Sequence, residues 1–205
     1  MQSRYDYDKI FQYLESKGKQ DFGNHFKIYE NDKPIIKKLI AYFLKDEIIC
    51  EQEKINLKKG ILLTGGIGCG KTTLMQLMKY FNDNSKSIYI MKPCRDIAFE
   101  FIQSGYEVIA KYSKQSFYRE IPKHFCFDDL GTENNLKYYG NECNVMAEIL
   151  LSRYDLFVST KLITHLTTNL SASEIEEYYG NRVRSRLREM FNLIAFDKES
   201  TDKRK

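Results

Sequence analysis

The sequence predicts an α/β fold: a parallel sheet with helices on both of its faces. Three observations predict it. Five short apolar runs of strand length alternate with stretches whose apolar residues recur at helical spacing. The runs are near-continuous rather than alternating, as strands buried on both faces are. No linker rich in proline, glycine or serine divides the 205 residues, which suits one domain with a proper core. The expected organisation is a short helical N-terminal lead-in over 1–34, a main domain over 35–197 and a basic C-terminal tail over 198–205.

Each element follows from local pattern. From Tyr5 to Lys17, Ile10, Phe11 and Leu14 fall on one helical face, and Gly18 is expected to stop the helix. "FGNHFKIYEND" reads as irregular chain. "KPIIKKLIAYFLKDEIIC" reads as a helix opened by Pro34, with Ile36, Leu39, Ile40 and Phe43 on its apolar face. Ile61–Thr64 is the first strand. A helix carrying Leu74, Leu77 and Met78 follows and is expected to stop at "NDNS". "SIYIM" is the second strand, leading to a helix with Ile97, Ala98, Phe101 and Ile102. "HFCFDDLG" is the third strand, followed by a helix from about Glu142 to Phe157. "LITHLTTN" is the fourth. Ser171 and Glu174 form an S-x-x-E capping box that opens a helix through Met190, and "NLIAF" is the last strand.

The totals exclude more than they assign. There are 32 Lys and Arg against 28 Asp and Glu, a net charge of +4, which is too mild to argue for nucleic acid by itself. Five cysteines without a C-x-x-C pair suit a reducing compartment, and three dispersed histidines give no zinc spacing. The charged N-terminus lacks the apolar core of a signal peptide, and no apolar run approaches the ~20 residues of a membrane helix. A cytoplasmic protein away from membranes is expected.

Chemistry concentrates in four places. "GGIGCGKTT" comprises Gly65, Gly66, Ile67, Gly68, Cys69, Gly70, Lys71, Thr72 and Thr73, and fits the G-x-x-x-x-G-K-[ST] phosphate loop in full, between a strand and a helix. Bare backbone lets several N–H groups point at one phosphate, and the helix adds its positive end. Lys71 is expected to reach the β- and γ-phosphates of ATP, and the Thr72 hydroxyl to ligate Mg²⁺. A glycine-rich turn with a chance lysine is the bland alternative, disfavoured because strand, spacing and helix all agree. Asp128 and Asp129 end the third strand. Asp128 is read as the second metal ligand, holding Mg²⁺ through its water shell, and Asp129 as the general base that aligns the attacking water, with Glu133 in reserve. Many related ATPases carry glutamate at the second position, one methylene longer. Asn169, ending the fourth strand, can face the same γ-phosphate, although an asparagine there is more often a turn residue. In "YYGNRVRSRLREM", Arg182 and Arg186 share a helix face; an arginine delivered to a γ-phosphate stabilises transition-state charge, and the plain reading is a basic face in solvent or on DNA. "KYSKQSFYRE" interleaves basic and aromatic residues as single-stranded nucleic-acid surfaces do, or is an exposed loop.

Together "GGIGCGKTT", "HFCFDDLG", "HLTTNLS" and "YGNRVRSRLREM" resemble the AAA+ ATPases of the helicase-loader and insertion-sequence helper type, the DnaC/IstB-like group, over about residues 35 to 197. The resemblance implies a P-loop NTPase with a five-stranded parallel sheet in the order 5-1-4-3-2 and no C-terminal lid domain. It makes Lys71 and Thr72 the Walker A residues, Asp128 and Asp129 Walker B, Asn169 sensor 1, Arg186 the arginine finger and Arg182 its companion. It also implies a homo-oligomer, ring or spiral, with each ATP site shared between subunits. The short segment before "KPIIKKL" cannot bury a core of its own, so the resemblance does not supply a helicase-gripping domain.

The leading expectation is an ATP-binding, Mg²⁺-dependent ATPase that assembles on single- or double-stranded DNA. It would help load or recruit a replication or transposition factor, with a helicase or transposase as partner. A P-loop kinase for a small molecule would share the loop and the aspartates, but would not need Asn169 followed by an arginine helix. An ATP-gated DNA-binding module with little turnover is the other alternative. Without an N-K-x-D signature, GTP has no support.

Overall fold

The computed structural model describes residues 3–81, 89–118, 121–133, 136–138, 141–197 and 202–203. Its main sheet holds β1 (Gly60–Thr64), β2 (Ile90–Pro93), β3 (Phe125–Leu130), β4 (Thr164–Thr168) and β5 (Phe191–Ala195). All neighbours are parallel, and the spatial order is β2-β3-β4-β1-β5. Read from the other edge, this is the implied order 5-1-4-3-2. Two short antiparallel ribbons lie outside the sheet, Phe117–Tyr118 with Ile121–Pro122 and Leu136–Tyr138 with Asn141–Cys143.

The apolar run of β1 is explained by its place between β4 and β5, where Leu62 sits opposite both Leu166 and Leu193. Eight α-helices are present among the described residues: α1 (Tyr7–Phe22), α2 (Lys33–Phe43), α3 (Glu47–Gln52), α4 (Lys71–Leu77), α5 (Cys94–Ser104), α6 (Glu107–Tyr112), α7 (Val145–Thr160) and α8 (Ala172–Met190). They bury two separate apolar clusters. One gathers Leu14, Leu39, Leu63 and Met75 from α1, α2, β1 and α4. The other gathers Phe101, Phe127, Ile149 and Leu187 from α5, β3, α7 and α8. Helices therefore cover both faces, as a buried parallel sheet requires.

Element limits differ from expectation where packing overrides local signals. α1 runs through Gly18 and ends at Gly23, whose φ of 99° gives the left-handed exit. Gly18 is there for clearance: a Cβ on it would lie 2.1 Å from the Phe26 ring. The expected helix from Lys33 to Cys50 breaks at Lys45, which takes a left-handed φ of 54°. Asp46 then caps α3, accepting the Ile49 N–H at 3.3 Å. Asn144 caps α7 in the same way, so Glu142 belongs to a ribbon rather than to the helix. Ile102 is exposed, unlike Ile97, Ala98 and Phe101. The "NDNS" stop and the first residues of "SIYIM" lie outside the described residues. The capping box of α8 forms reciprocally, and the helix is interrupted at Gly180 (φ 82°).

One buried group had no local signal at all. Arg153 on α7 is fully buried, and burial pulls its guanidinium down to about 9. Its Nε donates to Thr164 Oγ1 at 2.6 Å, Nη1 to the Tyr112 carbonyl at 2.9 Å and Nη2 to the Lys123 carbonyl at 3.2 Å. The chain between α6 and β3 is thereby tied to the start of β4, with the guanidinium 5.2 Å from the Phe125 ring centre.

The neighbouring β4 leaves no room beside Gly60 of β1, where an added Cβ would fall 1.7 Å from the Thr164 carbonyl oxygen. A backbone oxygen cannot swing aside as a side chain can. Gly60→Ala is expected to destabilise the fold by about 1–3 kcal/mol, the range of overpacked cores. The check is the urea midpoint at unchanged m-value; a midpoint equal to wild type would contradict the close approach.

Candidate functional site

The phosphate loop leaves the end of β1 and returns into α4. Its curl rests on left-handed backbone at Gly68 (φ 78°) and Gly70 (φ 97°), conformations that glycine adopts without a Cβ penalty. Gly70 is also the cap of α4, and its carbonyl accepts the Leu74 N–H at 2.9 Å. Ile67 is exposed on the outer bend, whereas Cys69 is buried and burial pushes its thiol up, which keeps it protonated and poorly nucleophilic.

Lys71 is buried in spite of its charge, with an exposure of 5%. Its ammonium donates to the carbonyls of Gly65 and Gly66, both at 2.9 Å, and to Asn169 Oδ1 in a short contact. The end of β4 is thus joined directly to the loop lysine. The Thr72 hydroxyl lies 2.9 and 3.0 Å from the two Asp128 carboxylate oxygens. Burial lifts the Asp128 carboxyl above the usual range, and hydrogen bonds from Thr167 and Thr72 oppose that shift. An alcohol and a carboxylate converging at that distance fit Mg²⁺, which takes oxygen donors, uses one or two carboxylates and keeps several waters.

A cavity of about 520 Å³ runs along the loop, within the ~300–1,000 Å³ typical of small-molecule sites. Lys71, Asp129 and Asn169 line one part of it. Asp128 sits behind them on Thr72. Glu133, the reserve base, is engaged elsewhere: it accepts from Tyr179 Oη in a short contact and from the Gly131 N–H at 3.0 Å, and it does not line the cavity. The other part of the lining is supplied by Phe26, Ile28 and Tyr29 of the lead-in and by Lys203. Sequence reading had assigned neither. Phe26, Ile28 and Tyr29 fall in the "FGNHFKIYEND" stretch, which reads as irregular chain, and a single lysine beyond the last strand leaves no pattern to find. Lys203 donates its backbone N–H to the Gly68 carbonyl at 3.1 Å and its ammonium to the Cys69 carbonyl at 2.8 Å and to Asp32.

Arg186 is not among the cavity residues. Its guanidinium lies 4.9 Å from the Tyr154 ring centre and donates to the Arg182 carbonyl at 3.3 Å. Arg184 points elsewhere, paired with Glu176. In "KYSKQSFYRE", Tyr112 is buried and bonded to Glu100, to which Lys111 is also paired at 2.7 Å. That ring is core, so it offers no base-stacking surface; Arg119 and Glu120 lie outside the described residues. Among the described residues, no helix is long and apolar enough to cross a membrane.

No protein-family model matches the chain. No curated protein matches it either. Solved structures do. The DnaC helicase loader superposes with a TM-score of 0.58 at 17% identity, over 85% of this chain and 95% of that one. A putative primosome component from Streptococcus pyogenes serotype M3 gives 0.53 at 20% identity, over 80% and 81%. AMPPCP-bound DnaA from Aquifex aeolicus gives 0.52 at 17% identity, covering 84% of this chain but 48% of DnaA. At these identities the likeness carries the architecture alone: the chain shares the fold of the DnaC helicase loader, a five-stranded parallel sheet with a phosphate loop after its first strand.

Proposed function

We propose that this protein binds ATP with Mg²⁺ in the loop cavity and hydrolyses it at a site completed by a second copy of the chain. The observation that carries the reading is the convergence of Lys71, Thr72, Asp129 and Asn169, from the loop and two neighbouring strand ends, on one cavity, with Asp128 held against Thr72 directly behind it. The loop N–H groups and Lys71 hold the phosphates. Phosphate oxygens are charged acceptors and compete well against a neutral amide, so nucleotide binding would draw Lys71 from Asn169 and free that amide to donate to the γ-phosphate. Mg²⁺, held by Thr72 and Asp128, would neutralise developing phosphate charge. Asp129 orients the attacking water and accepts its proton. The lead-in and Lys203 border the nucleoside end.

The finger role of Arg186 follows from the resemblance and agrees with its place away from its own cavity. A guanidinium lying on an aromatic ring at a helix surface can be presented to a neighbour's γ-phosphate. The coarser biological reading, an ATPase that assembles on DNA and loads or recruits another replication or transposition factor, draws on the similarity to a helicase loader and to DnaA. The deciding experiment is phosphate release with and without single- and double-stranded DNA, with oligomer size measured in parallel. Turnover that DNA leaves unchanged would remove the DNA part of the reading.

Two expectations test the chemistry. Lys71→Ala should abolish binding of a fluorescent ATP analogue, whereas Asp129→Asn should bind it normally and lose turnover. An Asp129→Asn protein that still turns over would move the base elsewhere. Arg186→Ala should bind ATP yet hydrolyse it slowly, by a factor on the order of 10³ if it behaves as fingers do in GTPases. Mixed with Lys71→Ala, which still offers Arg186, it should regain activity that neither protein has alone. Mixed oligomers that form and stay inactive would rule out a shared site.

A further inference from the structure

Resting on that reading, we infer that Thr167 is the positioning residue that lets two adjacent aspartates serve one site. Neighbouring residues of a regular strand point to opposite faces of the sheet. Asp128 and Asp129 are neighbours, yet one meets Thr72 and the other lines the cavity.

The register shows how this is done. Phe127 pairs with Leu166 on β4, but Leu130 pairs with Thr168. Asp128 and Asp129 therefore stand together opposite Thr167, a β-bulge of two residues against one. Asp129 takes a left-handed φ of 54° within it. Such backbone persists when its surroundings over-determine it. Here Thr167 does so through a single atom. Its hydroxyl donates to Asp128 Oδ1 at 2.6 Å and accepts the Asp129 N–H at 2.9 Å. The side chain is fully buried, so water cannot substitute for it. A second brace comes from Thr132, whose N–H and hydroxyl both donate to the Asp129 carbonyl, at 3.2 and 2.7 Å. Thr167 does not itself line the cavity, and its hydroxyl bears on the site through the two acids.

The hydroxyl is what matters, because the strand position itself asks only for a β-branched side chain. Thr167→Val keeps that shape and removes the donor and acceptor together. The expected result is a fall in kcat on the order of 10- to 100-fold, as for small displacements of catalytic groups, with the KM for ATP within about twofold of wild type. Independently of turnover, the Mg²⁺ concentration needed for half-maximal binding of a fluorescent ATP analogue should rise several-fold, since Asp128 loses its orienting donor. Thr167→Ser should restore both. Thr167→Ala is assayed alongside, so that a Val variant that fails to fold still leaves the same outcomes to be read. Wild-type kcat and Mg²⁺ midpoint in the Val or Ala protein would overturn the inference, and so would a Ser protein as impaired as Val. A wild-type protein that binds the analogue without hydrolysing it leaves the Mg²⁺ midpoint as judge. A wild-type protein that does not bind it at all overturns the ATP reading itself, and this inference with it.

Discussion

A β-strand turns alternate side chains to alternate faces, and this geometry governs how a nucleotide site can be assembled at the end of a parallel sheet. Strand ends are where such a sheet meets a ligand, and each regular strand can offer only every second residue to it. The β3 end offers two in succession because its ladder with β4 slips by one residue. The rest of the site is arranged around that slip. The loop lysine reaches across β1 to the end of β4, the Thr72 hydroxyl reaches the first acid, and the cavity opens beside the second.

The same packing explains why the loop can curl as it does. Among the described residues, Lys71 is a buried charge without a carboxylate among its hydrogen-bond partners; two loop carbonyls and an amide satisfy its three donors. Satisfying a buried ammonium with neutral groups is a weaker arrangement than pairing it with an anion. That difference favours the binding of phosphate over the ligand-free contacts. On the outer side of the loop, Lys203 and Asp32 fasten the bend to the lead-in, so two segments remote in sequence from the loop help set its shape.

Much of this could be read from the residues in order, because the signals were local. The phosphate loop, the apolar strand ending in acids, the capping box of Ser171 and Glu174 and the five-fold alternation each occupy a few consecutive positions. What could not be read depended on contacts across the fold. Gly18 looked like a helix stop, but it is a gap filled by Phe26. Tyr112 looked like part of a basic and aromatic surface, but its neighbours Glu100 and Phe125 place it in the core. Arg153 has no sequence signature, since its partners lie on other elements. The slip at Asp128 and Asp129 was hidden for the same reason: register belongs to a pair of strands and neither strand alone records it.

The left-handed backbone at Asp129 also bears on which acid stands there. That region is reached readily by glycine and, among residues with side chains, most often by asparagine and aspartate, whose short polar groups can bond to local backbone. Glutamate has no such advantage. Its extra methylene would extend the carboxylate further into the cavity, at the expense of a backbone conformation it adopts less willingly. The shorter acid at this position is then a choice made by the main chain. A lineage could exchange it for the longer one only together with a change in how β3 meets β4.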